Sequence, residues 1–142
     1  MNVQGNTSSR NGKLACLVVE DSKFDQKMIT RALSKKGDHL ELYFSESLQQ
    51  ARDLLETVNF QIILLDNQLP DGMGADFALE LSKDPRHCKK PIVMVSDWPS
   101  PFMWDKAQKA GVYFVLNKAE FHYDYVKQAM ELAVRRLHKA RV

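Results

Sequence analysis

Residues 62–74 read IILLDNQLPDGMG, and the step from Leu65 to Asp66 decides the fold. A strand with one wet face alternates apolar and polar residues, whereas a strand covered on both faces does not. Ile62 to Leu65 shows no alternation, so it reads as a doubly covered strand. Asp66 follows without a spacer, and Pro70, Gly72 and Gly74 then mark a turn. The chain leaves this strand through a carboxylate.

Outward from that stretch the same pattern recurs. Leu14–Val19, Ile92–Val95 and Tyr113–Leu116 are further apolar runs, while Leu40–Phe44 (LELYF) alternates more and is expected at a sheet edge. Helical spacing fills the intervals. Phe24, Met28 and Ala32 form one stripe; Leu48, Ala51, Leu55 and Val58 a second. Met103, Ala107 and Ala110 form another, and Val126, Ala129 or Met130, Ala133 and Leu137 the last. Gly37, Ser45 and Gly111 stand where helix caps are wanted. The pattern is (βα)₅, an α/β fold with a parallel sheet between two helical layers.

A chain of 142 residues is one ordinary domain. Its 44% hydrophobic and 27% charged residues match soluble globular chains, which argues against a fibrous, disordered or disulfide-built protein. No apolar run approaches the ~20 residues of a membrane span, and no basic segment leads into an apolar one as in a secretory signal. A net charge of +2 gives no bulk attraction to nucleic acid. Cys16 and Cys88 have no metal spacing and suggest no bridge, so the expected compartment is cytoplasmic.

In such folds functional residues gather beyond the carboxyl ends of the strands. Those ends carry Glu20-Asp21, Asp66, Ser96 and Asn117-Lys118. One polar strand end is commonplace; three carboxylates, a hydroxyl and a lysine on one rim call for chemistry. Oxygen donors alone suit Mg²⁺. A cation and a lysine together can hold the oxygens of a transferring phosphoryl group. A carboxylate can serve as nucleophile, and Asp66 is the ready candidate.

Over about residues 13–135 the chain resembles the receiver (CheY-like) domain of two-component response regulators. The residues that carry the resemblance are the acidic pair of LVVEDS, the aspartate of IILLDNQLPDGMG, Ser96 in IVMVSD and Lys118 in AGVYFVLNKAE. It implies a doubly wound, flavodoxin-like sandwich with strand order 2-1-3-4-5. It also implies that Glu20 and Asp21 bind Mg²⁺ together with Asp66 and the backbone carbonyl of Gln68. Asp66 would be the phosphoacceptor, Ser96 the switch hydroxyl and Lys118 the phosphoryl-binding lysine. The loop from Pro70 to Gly74 matches the family's proline-to-glycine turn before the third helix.

Three positions depart from the family pattern. Val115 stands where an aromatic is usual, with Tyr113 on the same strand face. Ala119 replaces the proline that follows the lysine, which favours a trans bond there. Asp97 replaces a small residue after the switch hydroxyl; it either faces the pocket mouth or caps the turn at Trp98-Pro99-Ser100. Trp98 and Trp104 read as a helix start packed by its own aromatics, with a ligand-binding loop as the alternative. His39, His87, His122 and His138 read as surface residues, Cys88 as a loop thiol, and RRLHKARV as a solvated helix end.

The expected function is a stand-alone receiver, phosphorylated on Asp66 by a sensor histidine kinase or histidine phosphotransfer protein. It would signal through a downstream protein, with no direct nucleic acid, no membrane and no dedicated enzymatic activity. Its expected parts are an N-terminal arm (1–12), the receiver (13–135) and a basic helix end (136–142). One alternative is a receiver-like interaction module that works without phosphorylation. Another is a Mg²⁺-dependent phosphohydrolase, which would want an aspartate where Gln68 stands.

Overall fold

A computed structural model describes residues 12–34, 36 and 39–141, the last four of them in backbone only. The expected N-terminal arm, short of Gly12, and the cap at Gly37 lie outside the described residues, as does the side chain of His138. Five long strands, β1 (Leu14–Val19), β2 (Leu40–Ser45), β3 (Ile62–Leu65), β6 (Ile92–Ser96) and β7 (Phe114–Asn117), form one sheet. Its order is β2-β1-β3-β6-β7 with every pair parallel, which among the long strands is 2-1-3-4-5. Between β3 and β6, β4 (Gln68–Leu69) and β5 (Gly72–Met73) make a small antiparallel ribbon. The helices are α1 (Lys23–Leu33), α2 (Leu48–Thr57), α3 (Gly74–Ser82), α4 (Pro101–Lys109) and α5 (Tyr123–Arg141).

Successive strand residues point to opposite faces, so each central strand feeds two cores. Leu17, Ile63, Leu65 and Met94 pack with Leu48, Phe77 and Met103 from α2, α3 and α4. Val18, Leu64, Val93 and Val95 pack with Ile29, Leu33, Val126 and Ala129 from α1 and α5. That double covering is why β1, β3 and β6 are unbroken apolar runs. The two edge strands, β2 and β7, are only partly buried, so the run at the second edge is covered less than its composition suggests.

Several local expectations shift. In α1 the buried residues are Gln26, Ile29 and Leu33, while Phe24 is 70% exposed. The burial of Gln26 is offset by its amide, which donates to the Glu20 carbonyl at 2.7 Å. Ser47, not Ser45, caps α2, accepting from the Gln50 N–H. Ser45 is buried at the end of β2, where its carbonyl accepts from the Glu20 N–H at 2.8 Å. In α5 the buried stripe ends at Ala133 and Leu137 is exposed. His87 is buried rather than on the surface, and burial holds its imidazole below the usual range.

Candidate functional site

The carboxyl ends of β1, β3, β6 and β7 open into a cavity of about 410 Å³ lined by Glu20, Asp21, Asp66, Gln68, Ser96 and Lys118. All six residues singled out in the sequence therefore share one depression. Asp25, Asp97 and Trp98 line it as well. No helix among the described residues is long and apolar enough to cross a membrane.

Asp66 is held from both sides. Its carboxylate accepts the Asn67 N–H at 2.7 Å, and its own N–H donates to the Val19 carbonyl at 3.0 Å. Asn67, which the sequence reading passed over, joins β3 to α3: its carbonyl accepts from Gly74 at 2.6 Å and its Oδ1 from Ala75 at 3.0 Å. Asp71 ties the same loop to α2 by accepting the Leu48 and Gln49 N–H groups at 2.8 and 2.9 Å. Gly72 lies at φ +152°, and Gly74 meets the Asp66 backbone so closely that no side chain fits. The two glycines thus answer two different needs.

Lys118 reaches the centre of the site from the end of β7. Its Nζ lies 3.0 Å from Glu20 Oε1, 3.6 Å from Asp66 Oδ2 and 3.5 Å from Asp97 Oδ2. Its shortest contact, however, is a hydrogen bond to Asp25 Oδ2 at 2.5 Å, a partner from α1 that the sequence did not disclose. Burial opposes the charge on Lys118, but the carboxylates of Asp25, Glu20 and Asp66 overcome it and raise the pKa. Burial also pushes Glu20 up to about 7, helped by the nearby Asp66 and resisted by the Ser22 N–H and by Lys118. Asp66 is raised too, by burial first, against the pull of Lys118 and the N–H groups of Asn67 and Gln68.

Burial first, and then mutual repulsion, disfavours the charged forms of Glu20 and Asp66. Oxygens of Glu20, Asp21 and Asp66 all lie within 4.8 Å of one another. Glu20 Oε1 is buried, and among the described residues the Lys118 ammonium at 3.0 Å is its one charged partner. A hard divalent cation fits this set of three carboxylates, because it would give that buried oxygen a further partner and relieve the mutual repulsion.

The departures also have a place. The Lys118–Ala119 bond is trans, as a non-proline residue prefers. Ser100 caps α4 by accepting from Met103, so Asp97 is not needed there. Asp97 instead faces Lys118 from the pocket mouth with a side chain 61% exposed. The aromatic segment is not packed on itself: Trp98 is 88% and Phe102 83% exposed.

A doubly wound parallel sheet with this acidic cavity and lysine defines the class, and comparison with known proteins supplies the family. Residues 16–131 match the response regulator receiver domain, and the chain belongs to that family. It is 28% identical over 102 residues to the response regulator protein PilR of Pseudomonas aeruginosa, covering 72% of this chain and 22% of that one. The protein-glutamate methylesterase/protein-glutamine glutaminase of Nitrosomonas europaea is 29% identical over 84 residues, 59% of this chain and 23% of that protein. The chain thus spans under a quarter of either curated relative. In fold it is similar to the signal receiver domain of an HD domain-containing protein from Pseudomonas fluorescens Pf-5 (TM-score 0.77, 17% identity, 87% of this chain and 98% of that one). The Mn²⁺-bound form of response regulator Rcp1 is a further likeness (TM-score 0.68, 22% identity, 83% and 90% covered).

Proposed function

We propose that the chain is a phosphoryl-accepting receiver in which Asp66 is the nucleophile and Glu20, Asp21 and Asp66 hold Mg²⁺ with the Gln68 carbonyl. The observation that carries the reading is the placing of the Asp66 carboxylate, fixed by the Asn67 N–H within reach of one ammonium and two further carboxylates. The donor is a sensor histidine kinase or a histidine phosphotransfer protein, and the response passes to a partner protein. Residues 13–135 form the working unit, and its setting is the cytoplasm.

In the transfer, one Asp66 oxygen attacks phosphorus and the bond to the donor's leaving group breaks. Lys118 meets an equatorial oxygen, and the Ser96 hydroxyl donates to another once the phosphoryl group is in place. A divalent cation held by Glu20, Asp21 and Asp66 would supply charge neutralisation for the transferring group. The test is incubation of the chain with Mg²⁺ and acetyl phosphate, followed by intact-mass measurement. A gain of one phosphoryl group, lost when the metal is chelated, is expected. An unchanged mass with both reagents present rejects the reading and favours a phosphorylation-independent interaction module.

Asp21→Ala is expected to weaken divalent-cation binding by at least about tenfold, since even residues behind metal ligands cost that much when removed. A titration that returns the unsubstituted affinity would remove Asp21 from the ligand set. Asp97→Asn is expected to speed phosphorylation by acetyl phosphate several-fold at low salt. It takes away a charge that repels an anionic donor and partly masks Lys118 from 3.5 Å. The gain should fade as salt is added, because the carboxylate stands largely in water. Equal rates for the two chains at low salt would place Asp97 outside the encounter.

A further inference from the structure

Among the described residues Lys118 is the one positive side chain that pairs with Asp66, yet its shortest contact lies elsewhere. Its hydrogen bond to Asp25 Oδ2 measures 2.5 Å, against 3.6 Å to Asp66 Oδ2. Glu20 Oε1 is ion-paired with the same ammonium at 3.0 Å, a longer contact than that to Asp25. Asp25 is itself well fixed. It sits in the first turn of α1, and its N–H donates to the capping Ser22 Oγ at 3.2 Å. Both members of the pair are largely withdrawn from water, with side chains 8% and 16% exposed. A rigid helix start therefore holds the end of a long, flexible side chain that arrives from the far side of the sheet.

We propose that Asp25 is a positioning residue that draws the Lys118 ammonium toward α1 and shares it with Glu20, so that it does not close fully onto Glu20 and Asp66 and those carboxylates stay open to a divalent cation and to the donor. The inference rests on the reading of the site under Proposed function. An ammonium and a metal ion compete for the same oxygens. Without Asp25, the anions left within reach of Nζ are Glu20, Asp97 and Asp66. Asp97 is in water and screened, whereas Glu20 and Asp66 are buried and gain most from a cation. The freed lysine would settle on the two buried groups and displace the metal. Asp25 thus acts on the cation through Lys118, without touching it.

A double-mutant cycle on the full chain tests this with Mn²⁺ alone, read by titration calorimetry and without any phosphodonor. Asp25→Asn is expected to weaken Mn²⁺ binding about five-fold, which corresponds to about 1 kcal/mol. In a Lys118→Met background the same change should alter binding less than about two-fold, because no ammonium remains to be released. Asp25→Ser repeats both arms, so a folding defect in one variant does not decide the outcome. Equal weakening in both backgrounds overturns the proposal, since Asp25 would then act only as a distant charge. Unchanged or tighter binding with Lys118 present overturns it as well. Should the coupling appear while Asp66 takes no phosphoryl group, the nucleophile assignment fails and this one stands. Phosphorylation without the coupling has the opposite meaning, and no Mn²⁺ binding by the unsubstituted chain overturns both.

Discussion

Asp66→Asn is expected to abolish the mass gain from acetyl phosphate and Mg²⁺, with the rate falling ~10²-fold or more. Asparagine keeps the shape of the side chain and can still accept the Asn67 N–H, which the aspartate does at 2.7 Å. It offers no carboxylate oxygen to form an acyl phosphate, so the covalent step has no nucleophile. The fold should not suffer. Burial already disfavours the charge on Asp66, and the neutral amide also relieves repulsion from neighbouring carboxylates. A thermal melt at or above that of the unsubstituted chain would show that the loss is chemical. Modification of the variant at the original rate would mean that another residue accepts the phosphoryl group.

The framework around Asp66 was legible because doubly covered strands leave a plain signature. Leu14–Val19 and Ile62–Leu65 have the bounds expected from their apolar runs, and the rim residues follow from where those runs stop. What the sequence hid was made of polar groups satisfied by backbone. Gln26 is buried in α1 with its amide donating a hydrogen bond to the Glu20 carbonyl, so the apolar stripe alone pointed to Phe24 instead. Asn67 and Asp71 look like ordinary turn residues until their carbonyl and carboxylate oxygens are seen receiving N–H groups of α3 and α2.

Asp25 was hidden for a different reason. It lies 93 residues from Lys118, in the first turn of a helix, and belongs neither to a strand end nor to an apolar stripe. What joins the two is the placing of α1 next to the segment that follows β7. Trp98 misled in the opposite direction, since two tryptophans and two prolines in seven residues suggest a packed cluster and the ring stands 88% exposed. Local composition announces that a segment is aromatic, not what it packs against.

The tightest geometric demand near the site falls on Gly74, and Gly74→Ala should be the most damaging single-methyl change in this loop. Its N–H donates to the Asn67 carbonyl at 2.6 Å, which draws the first turn of α3 onto the end of β3. A Cβ there would run into the Asp66 carbonyl oxygen and sit 2.9 Å from its carbon and 3.0 Å from Asn67 Cα. All three are backbone atoms, so no side chain can swing aside to make room. Overpacking of this kind costs about 1–3 kcal/mol, only part of which alanine's better helix propensity returns. For a domain of this size that lowers Tm by roughly 3–10 °C. Because the displaced atoms belong to Asp66 itself, phosphoryl transfer should fall along with stability. Gly111→Ala provides the contrast: its φ of +77° carries a conformational cost, but the nearest atom to a new Cβ is an arginine side chain at 3.8 Å. That variant should lose stability while transferring phosphoryl at the original rate. A Gly74→Ala chain that melts with the unsubstituted protein and is phosphorylated as fast would show that β3 and α3 can part without disturbing Asp66.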